Sequence, residues 1–264
     1  MNAKQIVEIL KANYKIQNEY EIAFIMGSGL DGAVPDFEDE IVIDYKDTPM
    51  PKSKVPGFVG HFKFGKINDK PCIKLTRYHY YESGDISLVR LPFEILKELK
   101  VKYVILATSC ISINKRYKTG DLLLIKDHIN LTGNNPLIGF EPLEFVDMNN
   151  AYDADLRKLA IKSSKENNIR LNEVVHLQLS GPTYETPSEI QMAKNLGADT
   201  ISMSTAYDTI CARRMGLKVL AFAFISNMIG DLNVSHDSVL KMAKQSGVKL
   251  NKVISNILSN IWYV

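Results

Sequence analysis

Residues 180–227 indicate the fold more strongly than any other part of this chain; they read SGPTYETPSEIQMAKNLGADTISMSTAYDTICARRMGLKVLAFAFISN. Thr186 is followed by Pro187, and Glu189 stands three positions after Thr186, which is a capping box with proline at the first helical position. A helix is therefore predicted to begin there and to end at Gly197. The short run ADTISM, a second helical pattern that closes at a glycine, and the apolar run LKVLAFAFI then predict strand, helix and buried strand.

This alternation of strands and helices predicts a parallel sheet, in which ligands bind beyond the carboxyl ends of the strands. Four polar or sulfur-bearing side chains fall at such places. Glu185 lies just outside a helix N-terminus, and Met203, Ser204 and Asn227 lie at or just past strand ends. The stretch therefore predicts a pocket.

Length and composition fit one large or two small domains, and we favour one α/β domain over residues 1–264. The chain has 264 residues, of which 45% are hydrophobic and 23% charged, enough for a sizeable core. A net charge of +2 gives no support to a nucleic-acid surface. Cys72, Cys110 and Cys211 lack CxxC spacing, which favours reduced thiols and a cytoplasmic location. No signal pattern or run of ~20 apolar residues occurs, so we expect no membrane insertion.

The remaining elements flank this stretch. Residues 3–14 predict an amphipathic helix, and EIAFIM predicts a strand that runs into the turn GSGLDG. HFKFGKI, PCIKLTRYHYY, KYVILATSCISI and TGDLLLIKDHINL have strand character, LVRLPFEILKEL is helical, and a long amphipathic helix is predicted from Asp237. Residues 132–150 are the longest irregular segment, which suggests a lid or a subunit contact.

The glycine turn has two interpretations. Residues 27–32, GSGLDG, fit the dinucleotide pattern GxGxxG, and Asp44 and Asp47 stand about where that pattern keeps a ribose-binding acid. The pattern also needs a helix at the glycines, and AVPDFEDE predicts none. A turn of this kind can instead bind one phosphate, with the Ser28 hydroxyl at its apex, or it is simply a tight turn.

A second cluster follows at Arg77, His79 and Tyr81, which share one side of the chain if the strand continues through them. The guanidinium could grip an oxyanion with two nitrogens, the imidazole adds a donor, and the phenol suits a sugar hydroxyl. A solvated strand face remains the alternative.

Glu185 and Asn227 together fit one edge of a 6-oxopurine. The carboxylate accepts from ring N–H groups, and the amide donates to O6 and N7. Met203 would pack against the ring or the ribose, and His236 is as suited to a structural role as to a sugar hydroxyl. Each residue alone could be a helix-end charge or a turn residue.

No GxSxG, P-loop or HExxH motif occurs, and the five histidines lack metal-ligand spacing, so no metal is indicated.

The motifs GSGLDG, PGFVGHFKFG, RYHYYESG, GDLLLIKDHINLTGNNPLIG, GPTYETPSEI, ISMST and ISNM, in this order, resemble the trimeric purine nucleoside phosphorylases and their methylthioadenosine-phosphorylase relatives. The resemblance covers most of the chain. It implies a three-layer α/β sandwich with a mixed, partly barrel-like central sheet flanked by helices. It also implies a homotrimer that cleaves purine ribonucleosides with inorganic phosphate as co-substrate and no cofactor.

Site residues follow from the same resemblance. Phosphate would be held by Ser28, Arg77, His79, Ser204 and the backbone at Ser109. The ribose would meet Tyr81, Met203 and His236, and the base would meet Tyr184, Glu185 and Asn227. Phe145 would reach a neighbouring subunit's site. Asn227, Glu185 and His79 would be the catalytic residues, since charge develops on the purine and ribose as the glycosidic bond breaks.

Two departures from the family pattern bear on function. Phe58 replaces a histidine near phosphate, unless His61 takes its place, and Ile111 replaces a glycine beside the base. The leading hypothesis is phosphorolysis of inosine and guanosine. The alternatives are a preference for adenosine or methylthioadenosine, a purine-binding relative with little turnover, and an NAD-dependent dehydrogenase that rests on GxGxxG alone.

Overall fold

The computed structural model of the protein describes residues 2–27, 29–52, 59–230 and 236–261, with the backbone alone at residues 31 and 236–239. The helices are α1 (Ala3–Tyr14), α2 (Ile86–Glu98), α3 (Ala154–Glu166), α4 (Pro187–Asn195), α5 (Ala206–Arg214) and α6 (His236–Asn260). The strands are β1 (Ile22–Met26), β2 (Glu38–Asp44), β3 (His61–Ile67), β4 (Lys70–Leu75), β5 (Tyr103–Ser112), β6 (Leu122–Asn130), β7 (Asn172–Gln178), β8 (Thr200–Ser202) and β9 (Lys218–Met228).

The strands form one mixed sheet that is partly closed on itself. The order is β2-β3-β4-β1-β5-β8-β7-β6-β9, and β9 also pairs with β5, so β5 to β9 form a five-stranded barrel. β1 is parallel to β4 and β5, whereas β8 is antiparallel to β5 and β9 is antiparallel to β6. The mixed, partly barrel-like sheet is confirmed, and the purely parallel sheet predicted from the alternation of elements is wrong.

Helices cover the sheet on two sides, because successive strand residues face opposite ways. Ala23 and Ile25 of β1 belong to a core shared with α1, α2 and α5. Ile22, Phe24 and Met26 belong to a second core shared with α3 and α6. The three-layer sandwich is therefore present in the part of the chain that the structure describes.

The predicted elements around the glycines and caps are confirmed. Thr186 accepts a hydrogen bond from the Glu189 backbone N–H, the Glu189 side chain accepts from the Thr186 N–H, and α4 begins at Pro187. Among the described residues between β1 and β2, the helical structure is a short 3₁₀ turn, Asp31–Ala33. The helix that dinucleotide binding requires does not follow the glycine turn.

The strand predicted to run through Tyr81 is wrong. β4 ends at Leu75, and Tyr80–Glu82 form a 3₁₀ turn. The hydrogen bonds that the His79 N–H and imidazole make with the Glu82 carboxylate favour the turn over a continued strand.

The three cysteines, predicted to be reduced thiols, are buried and unpaired. No helix in the described ranges is long and apolar enough to cross a membrane.

Candidate active site

A cavity of about 370 Å³ opens between β5, β8, β9 and the loops after β4 and β7. Ligand pockets are commonly ~300–1,000 Å³ in volume. Of the predicted site residues, those that line this cavity are Arg77, His79, Tyr81, Ser109, Tyr184, Glu185, Met203, Ser204 and Asn227. The segment 180–227 and the cluster after β4 therefore converge on one site.

Three predicted residues are not placed in this cavity. Ser28 lies outside the described residues. His236 is the first residue of α6, as predicted, but its side chain also lies outside the description. Phe145 is 98% exposed in the irregular segment 132–150 and does not line the cavity of its own chain.

Asn227 is positioned by a bulge between two buried strands. The pairing of β5 and β9 shifts register between Cys110 and Ile111, so that Ile111 stands opposite Asn227 and Ser226 is the extra residue. The Ser226 hydroxyl donates to the Cys110 carbonyl at 3.2 Å. Asn227 is 8% exposed, and its Oδ1 is buried without a partner. A buried amide with unmet hydrogen-bonding capacity calls for a ligand.

Glu185 faces the same end of the cavity from the loop before α4. Its side chain is half-buried, and burial, which disfavours the charged form, raises the pKa of the Glu185 carboxyl above its usual 4.5. The carboxylate therefore gains from a ligand that offers N–H donors in place of lost water.

Arg77 lies at the opposite end, held by three protein acceptors. One terminal nitrogen pairs with the buried Asp208 carboxylate. The other donates to the carbonyls of Ile25 at 3.1 Å and Ala107 at 3.0 Å, whereas Nε has no partner. The guanidinium was predicted to bind an oxyanion through two nitrogens. In the structure, both terminal nitrogens are already bonded to protein acceptors. Arg77 supplies a fixed positive charge with Nε as its unused donor.

His79 is fixed beside Arg77 by its neighbours. Its ring stacks on Tyr81, with centroids 4.9 Å apart and planes 18° apart. The Nδ1 atom lies 3.3 Å from the Glu82 carboxylate, which also accepts from the His79 backbone N–H at 2.8 Å. Nδ1–H donation to the carboxylate leaves Nε2 as the atom available to a ligand.

Ser204 belongs to a polar network behind the cavity. Its hydroxyl lies 2.8 Å from the Thr108 hydroxyl, and its N–H donates to the Ser202 Oγ at 3.2 Å. The Ser202 hydroxyl donates to the Ser204 carbonyl, so His176 Nε2 must donate to Ser202 Oγ at 2.8 Å. Nδ1 of His176 then accepts from Thr200. Burial lowers the pKa of His176 to about 3, which keeps this imidazole neutral.

Met203 takes its place because residue 181 is glycine. Gly181 has a φ of +67°, and a Cβ there would overlap the Met203 sulfur and approach its Cγ to 3.0 Å. The backbone conformation therefore favours glycine, and any larger residue would displace the Met203 side chain.

The two departures from the family pattern have different outcomes. Ile111 does line the cavity, opposite Asn227. Phe58 lies outside the described residues, and His61 is absent from the cavity wall, with its Nδ1 3.4 Å from the Val59 carbonyl.

Residues that hold these side chains were not predicted. Glu82 stands three positions after His79 and could have been found from that spacing, whereas the Thr108 hydroxyl contacts Ser204, 96 positions away. Asp208 stands 131 positions from Arg77, and nothing local marks it as a partner. Within the described ranges, no three His, Cys, Asp or Glu side chains form a group that could hold a metal ion.

The fold agrees with comparisons to known proteins. The family described as the phosphorylase superfamily matches residues 21–259, so the chain belongs to that superfamily. Purine nucleoside phosphorylase 1 of Bacillus subtilis (strain 168) is 34% identical over 248 residues, which cover 90% of this chain and 92% of that protein. Purine nucleoside phosphorylase of Bos taurus is 34% identical over 257 residues, 91% and 89% of the two chains. Within the superfamily, the chain is therefore a member of the purine nucleoside phosphorylase family.

Solved structures show the same likeness. Schistosoma mansoni purine nucleoside phosphorylase in complex with adenosine has a TM-score of 0.91 at 31% identity, over 98% of this chain and 96% of that one. The inosine complex of the phosphorylase from that organism has a TM-score of 0.88 at 31% identity, with the same coverage.

Proposed function

We propose that this cavity catalyses the reversible phosphorolysis of 6-oxopurine nucleosides, inosine and guanosine, to free base and ribose 1-phosphate. The observation that carries the proposal is the buried Asn227 amide in one cavity with the Glu185 carboxylate. The relatives at 34% identity are purine nucleoside phosphorylases, which supports the same reaction.

The base binds between Asn227 and Glu185, with Tyr184 against its face. Asn227 turns its amide nitrogen toward O6 and N7, and Glu185 accepts from the N1–H and, in guanine, from the 2-amino group. Negative charge collects on the purine as its bond to the sugar breaks, so the hydrogen bond from Asn227 strengthens in the transition state.

Phosphate binds at the other end, near Arg77, His79, the Ser204 hydroxyl and the backbone N–H at Ser109, with Ser28 completing the set. Arg77 has one donor without a protein partner, and His79 is oriented by Glu82. The positive charge is preorganised, because Asp208 and two carbonyls fix the guanidinium before any ligand arrives.

The ribose lies between these ends, against Tyr81, Met203 and His236. Cleavage breaks the bond between C1′ and N9 and forms a bond from C1′ to a phosphate oxygen. The electron pair of the broken bond stays with the purine, which takes up a proton released by the phosphate hydroxyl, directly or through water. Phosphate beneath C1′ also stabilises the positive charge that develops on the ribose. The residues that meet the changing charges, Asn227, Glu185 and His79, are the catalytic residues in this proposal.

We further propose that residues 1–264 act as one domain in a cytoplasmic homotrimer. Free thiols at all three cysteines fit a reducing compartment. Phe145, at 98% exposure, is suited to a neighbouring subunit's site.

The test is release of free base from inosine, guanosine, adenosine and methylthioadenosine, each with and without inorganic phosphate. Phosphate-dependent cleavage of the first two is expected. Cleavage of the adenine nucleosides instead would reverse the base assignment of Asn227. Binding of purines without cleavage of any nucleoside would identify a binding protein and refute the enzymatic proposal.

A further inference from the structure

A second, smaller cavity adjoins the base end of the active site. Its volume is about 200 Å³, and it shares Ile111, Tyr184, Glu185, Ile201 and Asn227 with the larger cavity. We call this space the annex. Its own wall is formed by Ile113, Ile190, Met228, Ile229 and Gly230.

The residues that line the annex are apolar, apart from three that are proposed to contact the base, Tyr184, Glu185 and Asn227. Ile190 comes from α4, Ile229 directly follows β9, and Ile113 directly follows β5. Ile111, which stands where the family pattern has glycine, belongs to the boundary between the two spaces. A space lined in this way binds apolar groups. A cavity of about 150 Å³ lined by aliphatic and aromatic side chains takes up benzene.

The position of the annex relative to a bound purine follows from the proposed function, on which this inference rests. Asn227 donates to N7 and O6 of the base, and Glu185 accepts from N1–H. Carbon 6 of the purine lies between N1 and the ring carbon that carries N7. A substituent on carbon 6 therefore points between Asn227 and Glu185, and both residues border the annex.

We propose that the annex is a subsite for an apolar substituent at the 6-position of the purine, so that the protein accepts 6-alkoxypurine nucleosides up to the size of a benzyloxy group.

The hydrogen bonds of the base site allow this substrate. An O6-alkylguanine has no N1–H, but it keeps the 2-amino donor and N7. Glu185 can accept from the 2-amino group with one oxygen and, when protonated, donate to N1 with the other. Burial raises the pKa of Glu185, which makes that protonated form easier to reach. Asn227 still donates to N7.

The test compares guanosine with O6-benzylguanosine. In the unmodified protein, we expect kcat/KM for the two nucleosides to agree within about tenfold. Ile190→Phe narrows the annex from α4 without touching the larger cavity. It should lower the ratio of kcat/KM for O6-benzylguanosine to that for guanosine by about tenfold or more, since small changes in an apolar pocket discriminate ~10- to 200-fold. Ile229→Phe narrows the same space from the residue after β9 and should act the same way.

Met192→Phe is the matched control, because Met192 is on the same helix, 41% exposed and outside both cavities. It should leave the ratio unchanged. Failure of the unmodified protein to cleave O6-benzylguanosine while it cleaves guanosine would overturn the annex and leave the proposed function intact. An unchanged ratio in both filling variants would also overturn it.

If no nucleoside is cleaved, calorimetric titration with guanine and O6-benzylguanine tests the annex independently of catalysis. Suppose that the unmodified protein binds both bases and that Ile190→Phe loses binding of O6-benzylguanine alone. This result supports the annex, although the enzymatic proposal has failed. Binding of guanine alone overturns the annex, and binding of neither base overturns both proposals.

Discussion

In the proposed site, Asn227 and Glu185 contact the base through opposite kinds of hydrogen bonding, the first as donor and the second as acceptor. Asn227 is buried, and in the proposed site its amide nitrogen donates to O6 and N7 of the base. Glu185 is half-buried, and burial raises the pKa of its carboxyl. The carboxylate accepts from the N1–H, so a purine offers a hydrogen-bond partner to each side chain.

Replacing the amide tests the charge stabilisation directly. Asn227→Ala should lower kcat for inosine phosphorolysis about 10²- to 10³-fold, the range for loss of one donor to a developing anion. Steady-state kinetics measure it. Asn195→Ala, an exposed asparagine at the end of α4, is the matched control. Near-normal kcat in Asn227→Ala would remove Asn227 from the mechanism.

The pH dependence of base recognition depends on Glu185. In the proposed site, Glu185 accepts from N1–H more strongly when ionised, and the pKa of its carboxyl is raised above 4.5. As pH falls through this raised pKa, kcat/KM for inosine should fall with an acidic limb above pH 4.5. Glu185→Gln should have a lower kcat/KM and lack that limb. An identical acidic limb in the variant would assign the titration to another group.

At the scale of elements, two hydrogen-bonded strands support the wall of the site. His176 of β7 bonds the Thr200 and Ser202 hydroxyls of β8, and Ser202 holds both backbone groups of Ser204. Ser204, which lines the cavity, is therefore positioned through Ser202 by a neutral imidazole in the core.

This network should make the fold sensitive to acid. His176 has a native pKa of about 3, against 6.5 for the unperturbed side chain, so below pH 6.5 the unfolded chain binds a proton that the native state does not. Stability is lost as pH falls from 6.5 toward 3, by about 2 kcal/mol between pH 7 and pH 5. Urea unfolding at both pH values should show this loss, and His176→Gln should lack it. Equal losses in both proteins would contradict the assignment.

Elements were predictable where local chemistry defines them. The capping box at Thr186 fixed the start of α4, and the apolar run of β9 fixed a buried strand. The turn at Tyr80 was missed because the Glu82 contacts that close it do not change the strand-like composition of the segment. Likewise, the ion pair of Arg77 with Asp208 and the bulge at Ser226 arise only when distant strands and helices pack together.

At the scale of the whole molecule, the irregular segment 132–150 is held to the body while its apolar side chains stay exposed. Arg90 donates to the carbonyls of Pro136 at 2.8 Å and Ile138 at 3.3 Å. The Phe140 ring lies 5.0 Å from the Arg90 guanidinium and 5.2 Å from that of Arg214. Leu143 and Phe145 are nonetheless 75% and 98% exposed. A fixed segment with exposed apolar side chains suits a subunit contact.

Sedimentation equilibrium should give about three times the 29.7 kDa of one chain. Phe145→Ala should stay trimeric and raise KM for inosine severalfold, because one aromatic contact from the neighbouring subunit is lost. Val248→Ala, an exposed site on α6, is the control. A fully active monomer, or an unchanged KM in Phe145→Ala, would refute the contribution of a neighbouring subunit.

A crystal structure with hypoxanthine and inorganic phosphate bound is the most direct measurement of how the two ends of the cavity are used. It should place O6 and N7 of the base within hydrogen-bond distance of the Asn227 amide, N1 at the Glu185 carboxylate, and phosphate against His79, Ser204 and the Arg77 Nε. A base bound with its edge away from Asn227 and Glu185, or phosphate bound outside this cavity, would contradict the proposed mechanism.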